Sequence, residues 1–296
     1  MRADMGLRKL SSILIGFTAL FSLGLGQSPL HAEPLTASSK IPPLPESRGS
    51  GPALGSEQVT PYTVVGEKKF SNYKVEIQQR MTVAKFPRVE SMKVRIIPNE
   101  GGSVTTFTGT WVNFDPKAFV IDWQGKPLDL DGDGIEDLVL QNYSGGGHCC
   151  YNYVIYSLAK PLHKLGDLPM RDCGEKISFE DLNGDKKLEL LSCNPDFIYL
   201  GDQPYSESPF PPAIYTLKNG QYRRADREFK QVFLDDIQEQ REALSKAYRP
   251  ANVLQIVADY LVLGEEATAW KEFDALYQGA DKEKIRQQLL RLVSPR

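Results

Sequence analysis

The chain has 296 residues, with 38 acidic and 35 basic side chains, a net charge of −3 and four cysteines. That balance argues against nonspecific nucleic-acid binding, which needs a basic patch. It suits a protein that attracts a divalent cation, and the length accommodates one large domain or two small ones.

Arg2, Arg8 and Lys9 precede an uncharged run from Leu10 to Ala32. A basic start, a short apolar segment and a small residue at a plausible cut describe a secretory signal peptide, residues 1–32, with Leu30-His31-Ala32 as the cleavage site. The competing reading is an uncleaved membrane anchor, for which an apolar heart of about 17 residues is near the lower limit. No cysteine follows the cut, which speaks against a lipid anchor, and no later apolar run is long enough to span a membrane. Cleavage leaves 32 basic and 37 acidic residues, a net charge of −5. The expected compartment is periplasmic or extracellular.

Residues 33–61 are rich in Pro, Ser and Gly, and read as a flexible linker that cannot bury enough apolar surface to order itself. From Tyr62 the pattern changes to strands. YKVEIQQR and MKVRIIP alternate, the Asn99-Glu100-Gly101-Gly102 turn follows, and TTFTGTWVNF is rich in Thr and aromatics. Residues 62–230 are expected to form a β domain of antiparallel hairpins.

Within it lies an internal repeat, about 121–165 and 173–223. KPLDLDGDGIEDLVL (126–140) aligns with SFEDLNGDKKLELL (178–191), and VIYSL (154–158) with AIYTL (213–217). Asp129, Asp131, Asp133 and Asp137 meet Asp181, Asn183, Asp185 and Glu189. The second copy carries an insertion within DQPYSESPFPP. Each copy reads as strand, acidic loop, strand, longer loop, strand.

Residues 231–296 read as a helical subdomain of four short helices, 232–248, 252–263, 265–277 and 281–293. Gly264 and Gly279 stand at helix ends, and Asp281 is a good N-cap. Trp270, Phe273, Leu276 and Tyr277 share one helical face and are expected to pack the core.

In each acidic loop, oxygen-bearing side chains fall at positions 1, 3, 5 and 9. Calcium takes six to eight oxygen ligands in flexible geometry, and alternate residues of a curled loop can turn inward around it. The residues between them are expected to turn outward as spacers. Gly132 and Gly134 permit the backbone angles, and the Ile135 carbonyl at position 7 can add a ligand. An EF-hand is excluded, because position 12 is Leu140 and the flanks are strand-like. DLDGDGIEDLVL and DLNGDKKLELL instead resemble the FG-GAP, or VCBS, repeats of integrin-like β-propellers. That resemblance covers about a third of the chain. It implies blade-like repeats and one calcium ion per loop, held by Asp129, Asp131, Asp133, Ile135 and Asp137, and by Asp181, Asn183, Asp185, Lys187 and Glu189. The second loop departs from the pattern, since Lys186 replaces the glycine at position 6 and Lys187 brings a cation, though its carbonyl could still serve.

Cys149, Cys150, Cys173 and Cys193 lie within 45 residues and read as disulfides in an exported protein. Three pairings are open. The favoured ones join Cys149 and Cys150 each to Cys173 or Cys193, because bridging neighbours needs a strained ring. SGGGHCC (144–150) resembles a stretch in a group of exported bacterial proteins with repeats of this type, and brings no activity with it. His148 beside two cysteines suggests a soft-metal site or a Cys–His nucleophile pair. Bridged cysteines leave no thiolate for either, so His148 is read as capping the turn or packing on Tyr151.

The expected fold is mainly β, with propeller-like blade repeats, incomplete or open, and a C-terminal α-helical subdomain. The expected function is a calcium-stapled binding or structural module with a protein or glycan ligand, and Tyr199, Tyr205 and Phe210 as a candidate partner surface. The alternatives are a secreted hydrolase near His148 and an envelope adhesion protein. No GxSxG, HExxH or phosphate loop supports the enzyme.

Overall fold

The computed structural model describes residues 58–109, 111–113, 128–143, 151–173 and 177–293. The expected signal peptide, most of the linker and the stretch containing His148, Cys149 and Cys150 lie outside them.

Among the described residues, twelve strands form three antiparallel sheets of four, none closed on itself. The first contains β1 (Thr63–Lys69), β2 (Tyr73–Met81), β3 (Val89–Pro98) and β4 (Thr105–Gly109) in sequential order. The second contains β5 (Trp111–Asn113), β6 (Asp137–Tyr143), β7 (Tyr151–Ser157) and β8 (His163–Arg171), again in order. The third is β9 (Ser178–Glu180), β10 (Glu189–Cys193), β11 (Pro212–Lys218) and β12 (Gln221–Arg224). YKVEIQQR and MKVRIIP thus become β2 and β3, paired with Val75 opposite Ile96 and Ile77 opposite Val94. TTFTGTWVNF behaves differently. It breaks after Gly109, so that β4 closes one sheet and β5 opens the next.

Burial explains the composition of the strands. In the first sheet, Val75, Ile77, Met92, Val94 and Ile96 face inward. Glu76 lies among them in sequence but is held by Lys74 at 2.6 Å and Arg95 at 3.0 Å. That sheet is apolar on one face and charged on the other. The second sheet is apolar on both. Leu138, Leu140 and Val154 join the core of the first sheet, while Val139, Tyr153 and Ile155 join Leu190 and Tyr222 of the third. This is why DLVL and YVIY are continuous apolar runs rather than alternating ones. The third sheet then packs Ile214 against Phe229, Phe233 and Leu263 of the helical region.

Four helices follow: α1 (Lys230–Lys246), α2 (Pro250–Val262), α3 (Glu266–Leu276) and α4 (Lys282–Val293). Each lies within two residues of its expected bounds. Gly264 ends α2 in the left-handed conformation (φ 78°), with its amide donating to Leu261. Phe273 and Tyr277 are buried, with Trp270 and Leu276 packed beside them. Asp281 stands immediately before α4, and its carboxylate accepts the Tyr277 hydroxyl at 2.9 Å. None of these helices is long and apolar enough to cross a membrane.

The disulfide pairing corrects the sequence reading. Cys173 bonds to Cys193 with Cα atoms 5.5 Å apart, so neither is available to Cys149 or Cys150. The bridge ties the turn after β8 to the end of β10, and so links the second sheet to the third. The register of two different sheets decides it, and cysteine spacing carries no trace of that.

Candidate functional site

The two acidic loops occupy equivalent places. The first joins β5 to β6, and the second joins β9 to β10. Short polar side chains that bond their own backbone two or three residues on create such turns. Asp129 accepts the amides of Gly132 at 2.8 Å and Gly134 at 2.9 Å. Asp131 accepts from Asp133 at 3.2 Å, and Asp133 from Ile135 at 2.7 Å. The second loop repeats this bond for bond. Asp181 accepts from Gly184 and Lys186, Asn183 from Asp185, and Asp185 from Lys187, at 2.7 to 3.1 Å.

Three carboxylates converge in the first loop. Asp129, Asp131 and Asp137 each present an oxygen within 4.8 Å of the others, the only such acidic trio among the described residues. Asp133 is outside that trio, and Ile135 is half-buried against the core between the first two sheets. One expectation is corrected here: Leu130 is not an outward spacer but is completely buried, and Leu128 nearly so. Both anchor the loop in the core shared by the second and third sheets. The loop is also held at its flanks. Glu136 accepts the Ser71 amide of the β1–β2 turn at 3.2 Å, and the Leu130 carbonyl accepts the Leu188 amide of the second loop at 2.9 Å. Gly132 is fixed twice, by φ 75° and because a Cβ there would stand 3.1 Å from the Lys186 carbonyl oxygen.

The decisive atom is Asp137 Oδ1. Asp137 has no exposed surface. Its Oδ2 accepts the Leu130 amide at 2.7 Å, while Oδ1 is buried with no hydrogen-bond partner. Burial, reinforced by the charges of Asp131, Asp129 and Asp133 and opposed by the Leu130 amide, pushes its carboxyl up to about 7. Asp131 is raised too, first by burial and then by Asp133, while the Ser157 hydroxyl favours its charged form. A cation shared by the trio would reverse both shifts and occupy the vacant side of Oδ1.

The second loop closes differently. Glu189 is equally buried, and its Oε2 accepts the Leu182 amide at 2.9 Å, matching Asp137 and Leu130. Its Oε1, however, accepts the Thr216 hydroxyl at 2.8 Å, so no oxygen is left over. Ser157 and Thr216 are the equivalent hydroxyl residues of the two repeats. The extra methylene of Glu189 reaches Thr216, whereas Asp137 stops short and Ser157 turns to Asp131. Sequence reading missed this pair of hydroxyls, although the VIYSL and AIYTL alignment already sets them opposite one another.

Of the candidate surface aromatics, only Tyr199 is well exposed, at 50%. Tyr205 lies between it and Phe210, with ring centroids at 6.3 and 5.0 Å, and its hydroxyl donates to the Asp172 carbonyl. Comparison with known protein families, curated proteins and solved structures gives no match.

Proposed function

We propose that the first acidic loop is a structural calcium site, and that the protein is an exported, calcium-stapled binding module. Asp137 Oδ1 carries the reading. A buried ionised carboxylate oxygen without a partner costs several kcal/mol, and two further carboxylates stand beside it. Asp129, Asp131 and Asp137 would hold the ion, with Asp133 and the Ile135 carbonyl available to complete the shell. When bound, a hard cation supplies charge neutralisation and a rigid oxygen-lined centre. Calcium fits an irregular loop better than magnesium, which demands near-ideal octahedral geometry.

Three successive four-stranded meanders support the blade-repeat reading, as does the acidic loop between the first two strands of the second and third sheets. In that reading the array ends rather than closes. The charged outer face of the first sheet caps one side, and the helices cap the other. The Cys173–Cys193 bond is compatible with an oxidising compartment.

Thermal unfolding with calcium and with EDTA tests the site. At a hundredfold excess over Kd, binding contributes about 2.7 kcal/mol, which raises Tm by about 5–10 °C for a chain of this size. Asp137→Asn keeps an acceptor for Leu130 but removes the charge, and should abolish that rise. An equal rise in the variant would refute the assignment.

A further inference from the structure

α1 buries Phe233 and Ile237, and α2 buries Val253 and Leu254, while polar side chains bridge the two helices. Asn252 donates to Gln240, and Gln240 to Asp236, each at 2.8 Å. Gln255 donates to Asp236 at 2.8 Å and to Asp259 at 3.2 Å, and accepts the Phe210 amide at 2.6 Å. Gln255 is 8% exposed and Asp259 fully buried. Asp259 Oδ2 has no partner as an ionised group. Burial and the neighbouring Asp236 push its carboxyl up to about 10, so it stays protonated and donates to Asp236. The row runs from half-buried Asn252, Gln240 and Asp236 to buried Gln255 and Asp259, and its mutual bonds hold the side chains in place.

Three members of the row, Gln240, Asn252 and Gln255, line a cavity of about 470 Å³, within the range of about 300–1,000 Å³ typical of small-molecule sites. Its walls are residues 206–208 and the α1–α2 junction. Tyr248 contributes an aromatic ring that is 41% exposed, fixed by its hydroxyl accepting the Gln278 amide at 2.9 Å. Glu207 and Arg249 contribute one charge of each sign.

We propose that this cleft binds a small neutral saccharide. Gln240, Asn252 and Gln255 are planar amides held by these bonds, so the N–H groups left on Gln240 and Asn252 and the remaining lone pairs of all three hold fixed directions. Sugar hydroxyls, each both donor and acceptor, match such groups. The Tyr248 ring suits the apolar C–H face of a pyranose. A charged ligand would gain from Glu207 or Arg249 and lose to the other, whereas a neutral polyol uses one as acceptor and the other as donor. The proposal does not depend on the calcium site.

Saturation-transfer NMR on the purified protein, with glucose, galactose, N-acetylglucosamine, maltose and, as a competitor, free glutamine at millimolar concentration, tests it. At least one sugar should bind. Tyr248→Ala should weaken that binding about tenfold, and Ser206→Trp, at an exposed wall residue, should fill the cleft to similar effect with Tm unchanged. Three results would overturn the proposal: no transfer to any of the four sugars, equal transfer in wild type and both variants, or binding of free glutamine in preference to all four.

Discussion

The two acidic loops share one backbone and nearly all their hydrogen bonds, yet differ at the last residue. In the first, Asp137 leaves a buried oxygen without a hydrogen-bond partner. In the second, Glu189 reaches one methylene further and takes a proton donor from Thr216. The turn conformation is therefore built by side chains bonding their own backbone, and does not itself report a metal. What reports it is whether the buried carboxylate is saturated by protein groups. On this account the protein holds one ion, in the first loop, and the second is a self-closed copy.

Glu189→Ala should have the largest effect. It takes the acceptor from the half-buried Leu182 amide and the buried Thr216 hydroxyl, at about 1–3 kcal/mol each. The loss should be the same in calcium and in EDTA, as denaturant unfolding would show. A larger loss in calcium would mean that the second loop binds the ion. Gly132→Ala should cost about 1–3 kcal/mol, from left-handed backbone and the close Lys186 carbonyl. Because Gly132 touches the second loop, the cost should appear in both conditions.

Thr216→Val should cost about 1–2 kcal/mol in EDTA by leaving Glu189 Oε1 unpaired. It turns the second loop into an analogue of the first, and a calcium-dependent rise of Tm larger in this variant than in the wild type would sharpen the comparison most. Lys186→Gly should have the smallest effect. Lys186 sits at φ 72° where the first loop has Gly134, so relief of left-handed strain, partly offset by unfolded-state entropy, should stabilise by about 0.5 kcal/mol. A destabilised variant would show that the Lys186 side chain does more than tolerate its backbone.

The parts legible in the sequence were local. Acid spacing gave both loops, alternating runs gave the antiparallel strands β2 and β3, and helical periodicity with Gly264 gave the helical region. The rest depends on residues brought together across sheets. Thr216 meets Glu189 from 27 residues away, and the Cys173–Cys193 bond follows from the offset between two meanders. Leu130 sits between two acids in sequence but is drawn into a core that only the third sheet completes. TTFTGTWVNF reads as one strand-rich stretch because nothing local marks the change of sheet after Gly109. The amide row from Asn252 to Asp259 was equally hidden, since helical spacing shows a polar face without showing what it faces.

The most direct test is calorimetric titration of calcium into chelator-stripped protein, for the wild type, Asp137→Asn and Asp181→Asn. The account predicts one ion per chain in the wild type, none in Asp137→Asn, and one in Asp181→Asn. Two ions in the wild type, or binding that survives Asp137→Asn and is lost in Asp181→Asn, would contradict it.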